Sequence, residues 1–323
     1  MWTPTSKHGE CALSCLPHLE KLAMIDSLSN KKVLVTGACG FMGSHLVDRL
    51  LEEGASVLAL DMPEAFEDKQ IERPRYVPLA LDITKPLATD PETKFDVVYH
   101  LAAIAAPIVC EQEPEKAFLT NVLGTYNVLR FALKGEAKKV VFLSSAHVYG
   151  ISPKYMPTGE VHPLALLDNY TTTKVLGERL CKLFYDNHHL PYVIFRLFNS
   201  FGPGQPPGYF IPDMIVKAKS GHIKMKGREV TKDFIYIDDV VDALTKGAVS
   251  DYVGELNIGS GKQTELGYVA KYIADKMGVK IDFDDSKVAG PTKMQADNTR
   301  ARKILGWAPK TTLEQGLDNT IPS

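Results

Sequence analysis

The sequence has few cysteines and no long apolar run. Its 323 residues include five cysteines, an odd number of scattered residues that fits reduced thiols better than a disulfide framework. No apolar run reaches the ~18 residues that a membrane span requires, and the first residues lack a secretory apolar core. We therefore expect a cytoplasmic protein that does not enter a membrane.

Neither sign of charge dominates the chain. Lysine and arginine number 37, aspartate and glutamate number 39, and the formal net charge is −2, with no long basic block. This balance argues against non-specific binding to nucleic acid or to an anionic membrane. No repeat or low-complexity segment is present, and the hydrophobic content of 45% is ordinary for a globular protein.

A glycine-rich turn between a predicted strand and a predicted helix is the most informative stretch. Its three glycines are Gly37, Gly40 and Gly43, with Phe41 and Met42 between the last two. A chain that turns this sharply needs residues without Cβ, and the start of a helix directs unpaired N–H groups and a positive dipole end at an anion. The turn therefore predicts a pyrophosphate site.

A carboxylate follows at the distance that a dinucleotide site requires. The apolar run Ser56–Asp61 ends in Asp61, about 20 residues beyond the glycines. A carboxylate at that strand end accepts hydrogen bonds from both ribose hydroxyls of NAD and repels the 2′-phosphate of NADP. The predicted cofactor is therefore NAD.

The first half of the chain alternates strand-like and helix-like segments. The predicted strands are Val33–Thr36, Ser56–Asp61, Tyr76–Ala80, Asp96–His100 and Val140–Ser144, and the predicted helices lie near 43–53 and 114–134. This alternation predicts an α/β fold, a doubly wound parallel sheet of Rossmann type. Ligands bind at the carboxyl ends of such strands, which adds five residues to the cofactor site: Asp82, Ile83, Leu101, Ala102 and Ala103.

The end of the fifth strand and a later predicted helix contain side chains that are suited to catalysis. Hydroxyls at the sheet edge, of which Ser145 is one, are placed to hold a substrate oxygen, and Tyr170 and Lys174 share a helical face. A phenol ionises near ~10, but a nearby ammonium and a positive nicotinamide ring favour the phenolate. Tyr170 is therefore the predicted proton acceptor.

At this point the chain resembles the extended short-chain dehydrogenase/reductases, specifically the NAD-dependent nucleotide-sugar epimerase/dehydratase family. The resemblance runs from about residue 32 to 317, and residues 37–43, 144–150 and 170–178 carry it. It implies that Ser145 is the catalytic hydroxyl and that Tyr170 is the base. It also implies that Lys174 lowers the tyrosine pKa and holds the nicotinamide ribose.

The family pattern adds further residues. It implies that Asn121 and Phe198 lie beside the cofactor and that Asn199 contacts the diphosphate of a nucleotide sugar. Later signatures at 196–204, 232–240 and 296–307 imply a smaller lobe for this substrate. The expected division is an extension over 1–30, a cofactor domain over 31–198 with later segments returning to it, and a substrate lobe over 199–323. A homodimer joined by helices near 114–134 and 169–188 is expected.

Some positions depart from the family pattern. Lys232 and Lys287 occupy positions where the family has arginine. Lysine lacks the planar guanidinium that binds a diphosphate through two parallel hydrogen bonds. Arg228 or Lys293 could therefore contact the diphosphate instead. Thr173 replaces a serine without altering the chemistry. The predicted substrate-binding residues are Ser145, Ala146, His147, Asn199, Arg228, Lys232 and Lys287.

The residues that follow Ser145 distinguish among the reactions of the family. In this family dehydratases carry an Asp-Glu pair there, and decarboxylases carry a glutamate at the position of His147, whereas this chain has Ala146 and His147. A 4-epimerase needs no further acid or base, so we predict an epimerase that acts by hydride transfer at sugar C4. His147 either moves a proton at a neighbouring carbon or merely contacts substrate or water.

Other functions stay open as alternatives. They are a 4-ketosugar reductase, a dehydratase or decarboxylase, and a non-catalytic NAD-binding sensor. Reductases mostly use NADPH, which Asp61 disfavours, and a sensor would have lost the base or its lysine, whereas Tyr170 and Lys174 are both present.

The extension before residue 31 contains a tempting metal pattern. Its metal-type side chains are His8, Cys11, Cys15 and His18. A single helix cannot wrap four ligands around one ion, and Pro17 interrupts the helix. We therefore expect no metal, and instead a short helix over Leu19–Ile25 that packs on the domain.

Overall fold

The computed structural model describes residues 25–67, 73–88, 93–150, 153–284, 286 and 293–322. The N-terminal metal-type side chains, Lys287 and all but the last residue of the predicted helix at 19–25 lie outside these residues. Ile25 is not helical, but it is buried in the main hydrophobic core together with Leu28.

Thirteen strands lie in the described ranges. They are β1 (Lys32–Thr36), β2 (Ser56–Asp61), β3 (Tyr76–Ala80), β4 (Val97–His100), β5 (Lys139–Ser145), β6 (Tyr192–Leu197), β7 (Asn199–Phe201), β8 (His222–Lys226), β9 (Thr231–Lys232), β10 (Phe234–Tyr236), β11 (Gly254–Ile258), β12 (Thr264–Glu265) and β13 (Lys280–Asp284). Seven of them form a parallel sheet in the order β11-β6-β5-β4-β1-β2-β3, and the others form two-stranded pairs.

Ten α-helices lie in the same ranges. They are α1 (Phe41–Glu52), α2 (Pro107–Gln112), α3 (Pro114–Phe118), α4 (Gly124–Lys134), α5 (Asn169–His188), α6 (Phe210–Lys219), α7 (Ile237–Val249), α8 (Leu266–Met277), α9 (Thr299–Leu305) and α10 (Leu313–Thr320). None of the helices in this part of the chain is long and apolar enough to cross a membrane.

The strand order places a crevice beside β1. The chain runs outward from β1 through β2 to β3 and then returns to β4 on the other side of β1. The connections after β1 and β4 therefore leave in opposite directions, and in such sheets ligands bind at this point. The predicted doubly wound fold is confirmed, and the predicted strand bounds differ from the observed ones by one residue at most at each end.

Helices cover both faces of the sheet because its strands are apolar on both sides. Val33 and Val35 face the core formed with α1 and α7, whereas Leu34 between them faces the core formed with α4 and α5. β3 is the exception, since it is a largely exposed edge strand. Its Pro78, which cannot donate to a ladder, is tolerated at an edge.

The helix predicted near 114–134 is interrupted. A π-helical turn, Leu119–Leu123, separates α3 from α4. At Gly124 the helix approaches the segment after β3 so closely that a Cβ would lie 2.7 Å from Ile83 Cδ1. The single predicted helix is therefore divided into α3, this turn and α4.

A buried ion pair joins the catalytic helix to the sheet. The Arg196 guanidinium donates to both carboxylate oxygens of Glu178 at 3.0 and 2.7 Å, and the Ser144 hydroxyl donates to the same carboxylate at 2.6 Å. Arg196 also donates to the Tyr149 hydroxyl, which donates in turn to Asn257. This network fixes α5 relative to the ends of β5, β6 and β11.

The ion pair gives a stability prediction. Arg196→Met should lower the free energy of unfolding by about 3–5 kcal/mol, because it leaves Glu178 charged, buried and unpaired. Lys182→Met is the matched control on α5, since it removes the exposed pair with Asp186 and should cost about 0–1 kcal/mol. Urea unfolding followed by circular dichroism measures both. Equal unfolding midpoints would contradict the assigned importance of the buried pair.

Candidate cofactor and substrate site

The glycine turn is closed by contacts between backbones. Gly37 has φ +70°, and a Cβ there would lie 2.8 Å from the amide nitrogen of Ala102. A Cβ on Gly43 would lie 1.9 Å from the Gly37 carbonyl oxygen. Gly40 precedes α1 as its N-cap, so the first N–H groups of the helix face the crevice. Gly37 and Gly43 therefore require glycine for steric reasons.

A cleft of about 1080 Å³ lies above this turn. Eight of the predicted cofactor residues line it: Gly37, Gly40, Asp61, Asp82, Ile83, Leu101, Ala102 and Ala103. Three others, Phe41, Met42 and Gly43, line the cavity next to it. A glycine cradle that a Cβ would fill and a cleft of this size fit an extended dinucleotide.

Asp61 is held in place by the turn. Its Oδ2 accepts from the Cys39 amide at 2.8 Å and its Oδ1 accepts from the Met62 amide at 2.9 Å. Each carboxylate oxygen has a further lone pair, and Asp61 lines the cleft. It can therefore accept from the ribose hydroxyls of NAD while its charge repels a 2′-phosphate.

Asp82 is fixed by its own turn. Its carboxylate accepts from the amide and the hydroxyl of Thr84, both at 2.8 Å. The neighbouring Ile83 is 5% exposed and packs under the floor of the cleft. Both line the cleft, and their contact with the cofactor stays a prediction.

Asn121 is buried and does not line either cavity. Its side-chain oxygen accepts from the Ile104 amide at 2.8 Å, and its amide nitrogen donates to the Ile104 carbonyl and to Thr173 Oγ1, both at 3.0 Å. It thus ties the segment after β4 to the catalytic helix. The position of Asn121 beside the cofactor stays a prediction.

A buried histidine that the sequence analysis missed lies nearby. His100 Nδ1 is 2.8 Å from Thr36 Oγ1, and His100 Nε2 is 2.9 Å from Thr125 Oγ1. Burial lowers the pKa of His100 to about 3, so the ring is neutral. It links β1, β4 and α4 below the cofactor cleft. Its strand-end position was visible in the sequence, but its partners were not.

A second cavity of about 630 Å³ adjoins the cleft. Gly37, Gly40, Leu101 and Ala103 line both. The predicted site residues on its wall include Ser145, Ala146, His147, Tyr170, Lys174, Phe198, Asn199 and Lys232. The fold therefore brings the three predicted catalytic residues together on the wall of this second cavity.

Tyr170 and Ser145 are close partners in this cavity. Burial raises the pKa of the Tyr170 phenol, and a side-chain hydrogen bond with Ser145 lowers it in part. Tyr170 lies in the first turn of α5, which Asp168 caps by accepting from the Thr171 amide at 2.6 Å. The capping box fixes where the helix begins and therefore where the phenol points.

Lys174 is buried one helical turn beyond Tyr170. Its Nζ donates to the Leu143 carbonyl at 2.9 Å and lies 5.5 Å from the centre of the Phe142 ring. Burial lowers the pKa of Lys174 to about 8. The Tyr170 pKa is lowered here by the hydrogen bond with Ser145. The lowering of the tyrosine pKa by Lys174 stays a prediction.

The predicted substrate cations are placed differently from one another. Lys232 lines the second cavity, its Nζ lies 3.6 Å from Met294 Sδ, and burial lowers its pKa. Arg228 is exposed with its guanidinium over the Phe283 ring, and neither Arg228 nor Lys293 lines a cavity. Lys287 lies outside the described residues. Lys232 is thus the cation that the fold brings to the predicted substrate site.

The sequence analysis missed several residues of the cavity wall. Gln205 and Tyr209 come from the connection between β7 and α6, and Met294 comes from the segment before α9. The proline- and glycine-rich stretch at 202–208 was a visible sign of a loop. Its position over the cavity depends on tertiary packing that one sequence does not show.

The fold and the site together define a class of protein. A dinucleotide cleft on a parallel α/β sheet meets a cavity that contains a hydroxyl, a phenol and an ammonium group. This arrangement is typical of a nicotinamide-dependent enzyme. A family model described as the NAD dependent epimerase/dehydratase family matches residues 33–259. The chain belongs to this family, as the sequence resemblance predicted.

Curated relatives of two activities match the chain. UDP-glucuronic acid decarboxylase 6 of Arabidopsis thaliana is 31% identical over 305 residues, covering 90% of this chain and 87% of the relative. UDP-glucose 4-epimerase of Mycolicibacterium smegmatis is 31% identical over 309 residues, covering 90% of this chain and 97% of the relative. Equal identity to a decarboxylase and to an epimerase leaves the reaction to be argued from the site.

Solved structures agree with the fold and the cofactor. The UDP-N-acetylglucosamine 4-epimerase from Methanobrevibacter ruminantium M1, in complex with UDP-N-acetylmuramic acid, has a TM-score of 0.82 and 28% identity, covering 91% of this chain and 97% of that one. Other similar structures contain NAD or NADH. The prediction of NAD as the cofactor is confirmed.

The Asp61 geometry predicts how cofactor choice changes. Asp61→Ala should weaken NAD binding by roughly tenfold or more and should raise the NADP-to-NAD affinity ratio, because it removes both the ribose acceptors and the repulsion of the 2′-phosphate. Glu64→Ala, a nearby carboxylate that does not line the cleft, should change neither value. Calorimetric titration with both dinucleotides measures the ratio. An unchanged ratio in Asp61→Ala would contradict the assignment.

Proposed function

We propose that the protein is an NAD-dependent nucleotide-sugar 4-epimerase. It removes a hydride and a proton at sugar C4, lets the 4-ketosugar turn over in the cavity and restores hydrogen on the other face. The observation that supports this proposal most is the composition of the second cavity. None of the described side chains that line it is aspartate or glutamate.

The missing carboxylates argue against the other reactions of the family. Dehydration needs an acid and a base for the carbons beyond C4, and carboxylates are the usual groups for this task. The cavity instead offers hydroxyls, amides, His147 and Lys232. A 4-epimerase requires proton transfer only at the C4 oxygen, which Tyr170 can perform.

Three residues carry the proposed chemistry. Tyr170 takes the proton of the C4 hydroxyl, and Ser145, its hydrogen-bond partner, steadies the oxygen as it becomes a carbonyl. NAD held by the glycine turn and Asp61 would supply the hydride acceptor and a positive charge. Lys174 adds a buried positive charge one turn away, and its hydrogen bond to the Leu143 carbonyl holds it against β5.

The diphosphate of the substrate is assigned to the other wall of the cavity. Lys232 offers a half-buried ammonium whose contact in the described structure is the thioether of Met294, a weak acceptor. Asn199 lines the same cavity, and its amide donates to the Asp233 carbonyl at 3.2 Å. A diphosphate would give Lys232 the anionic partner that it lacks.

The mechanism predicts a loss of turnover without loss of cofactor. Tyr170→Phe should reduce turnover of the nucleotide sugar by about 10²–10⁴-fold, because the proton acceptor is removed. NAD content after purification should stay unchanged. Tyr185→Phe is the matched control, since Tyr185 lies on the exposed side of the same helix. Full activity in Tyr170→Phe would contradict the proposed base.

A substrate panel separates the proposed reaction from its alternatives. The wild-type enzyme is denatured to identify its cofactor, and the native enzyme is incubated with UDP-, GDP-, CDP- and dTDP-sugars, including UDP-glucuronic acid. We expect retained NAD and a redox-neutral inversion at C4. Release of carbon dioxide from UDP-glucuronic acid would make the protein a decarboxylase, and turnover that depends on added NAD(P)H would make it a reductase.

We also propose a homodimer formed by α4 and α5. Leu119 and Leu123 in the turn before α4 are exposed, as is Tyr126 in α4, and so are Leu176 and Leu183 on α5. The Tyr126 ring contacts Phe184 with centroids 5.8 Å apart, so the two helices share this apolar face. Exposed apolar faces of this kind mark interaction sites.

The dimer proposal predicts a change in mass. Leu123→Lys combined with Leu183→Lys should shift the protein from dimer to monomer, because two charges would be buried at the interface. Val216→Lys introduces the same charge at an exposed apolar residue of α6 and should leave the dimer intact. Sedimentation equilibrium measures the mass. A monomeric wild type would contradict the proposal.

A further inference from the structure

His147 is the cavity residue that the proposed epimerisation does not use. It lies in the helical turn after β5, two residues beyond Ser145, and it is half-buried. Its ring meets the Tyr170 ring edge-on, with centroids 6.0 Å apart and an interplanar angle of 87°. The imidazole is therefore beside the phenol that acts at C4.

The ring nitrogens of His147 are open to the cavity. Within the described residues its hydrogen bonds come from the main chain: the His147 amide donates to Ser145 Oγ at 3.2 Å, and the Gly150 amide donates to the His147 carbonyl at 2.8 Å. The ring lines the cavity, and its nitrogens have no hydrogen-bond partner among the described residues, so they can bond to substrate.

The surroundings of His147 favour a neutral ring. Burial lowers its pKa, the positive charge of Lys232 on β9 lowers it further, and Asp168 at the start of α5 raises it in part. Tyr170, the titratable group in ring contact, is itself neutral because burial raises its pKa. A neutral imidazole has one nitrogen with a free lone pair and can act as a base.

We propose that His147 takes a proton from a carbon next to C4 of a bound 4-ketosugar, so that the enzyme exchanges the hydrogen at that carbon with solvent. This rests on the proposed function, since a ketone at C4 is what makes the neighbouring C–H acidic. Among the described residues of the cavity no carboxylate competes for this role. The exchange would be a second activity of the same cavity.

The step balances without any further reagent. The C–H bond breaks and its proton forms an N–H bond on the imidazole. The electron pair forms a double bond to C4, and the carbonyl pair moves to the C4 oxygen, to which the hydroxyls of Ser145 and Tyr170 can donate. The imidazole exchanges its proton with solvent, and return of a solvent-derived proton from the imidazole to the same face of the carbon gives exchange.

A 4-ketosugar supplied directly tests this step apart from hydride transfer. UDP-4-keto-6-deoxyglucose is incubated with the enzyme in deuterium oxide, and deuterium next to C4 is measured by mass spectrometry and proton NMR against an enzyme-free blank. We expect wild-type exchange above the blank. His147→Gln and His147→Asn should lower the rate by roughly 10²-fold.

The controls keep the result interpretable. His188→Gln, at the exposed end of α5, should exchange like the wild type, and calorimetry must show that each His147 variant still binds UDP. Exchange should persist on acidification below the ordinary histidine pKa of about 6.5. Wild-type exchange no faster than the blank, or variants that bind UDP and exchange at the wild-type rate, would overturn the proposal. C4 inversion of UDP-sugars is scored separately and tests the proposed function alone.

Discussion

The close approach of the glycine turn to the end of β4 is the constraint on which the rest of the structure depends. The Gly37 backbone lies against Ala102, and Gly43 lies against the Gly37 carbonyl. No side chain fits between these segments, so the start of α1 opens into the crevice beside β1. The cofactor cleft and the second cavity share this floor. The proposed role of Tyr170 depends on where the phenol lies relative to it.

A conflict between burial and ionisation shapes the catalytic set. Proton transfer at neutral pH favours a base whose pKa is near the working pH, yet burial raises the pKa of Tyr170 and lowers that of Lys174 to about 8. The hydrogen bond with Ser145 lowers the tyrosine pKa in part. The positive ring of a bound cofactor would lower the tyrosine pKa further. Formation of the base would then depend on whether the cleft is occupied. Such coupling would keep the phenol protonated, and unreactive, when the cleft is empty.

Local signals predicted the sheet and the cofactor side of the site, whereas tertiary contacts determined the rest. The strand ends at Asp61 and Ser145 were readable because a parallel sheet gathers them at one edge. The roles of Asn121, Arg228 and His100 were not readable, because each depends on a partner far along the chain. Asn121 bonds to Ile104 and Thr173, and Arg228 turns away onto Phe283. The single helix predicted near 114–134 is divided by the turn at 119–123.

The fate of the hydrogen at C4 tests the central claim most directly. A UDP-sugar that the enzyme turns over is prepared with deuterium at C4, and the label is located in the product by NMR. An epimerase that removes and returns the same hydride within one cavity keeps the deuterium at C4 of the inverted sugar. Loss of the label to solvent, or a product that is not inverted at C4, would contradict the account.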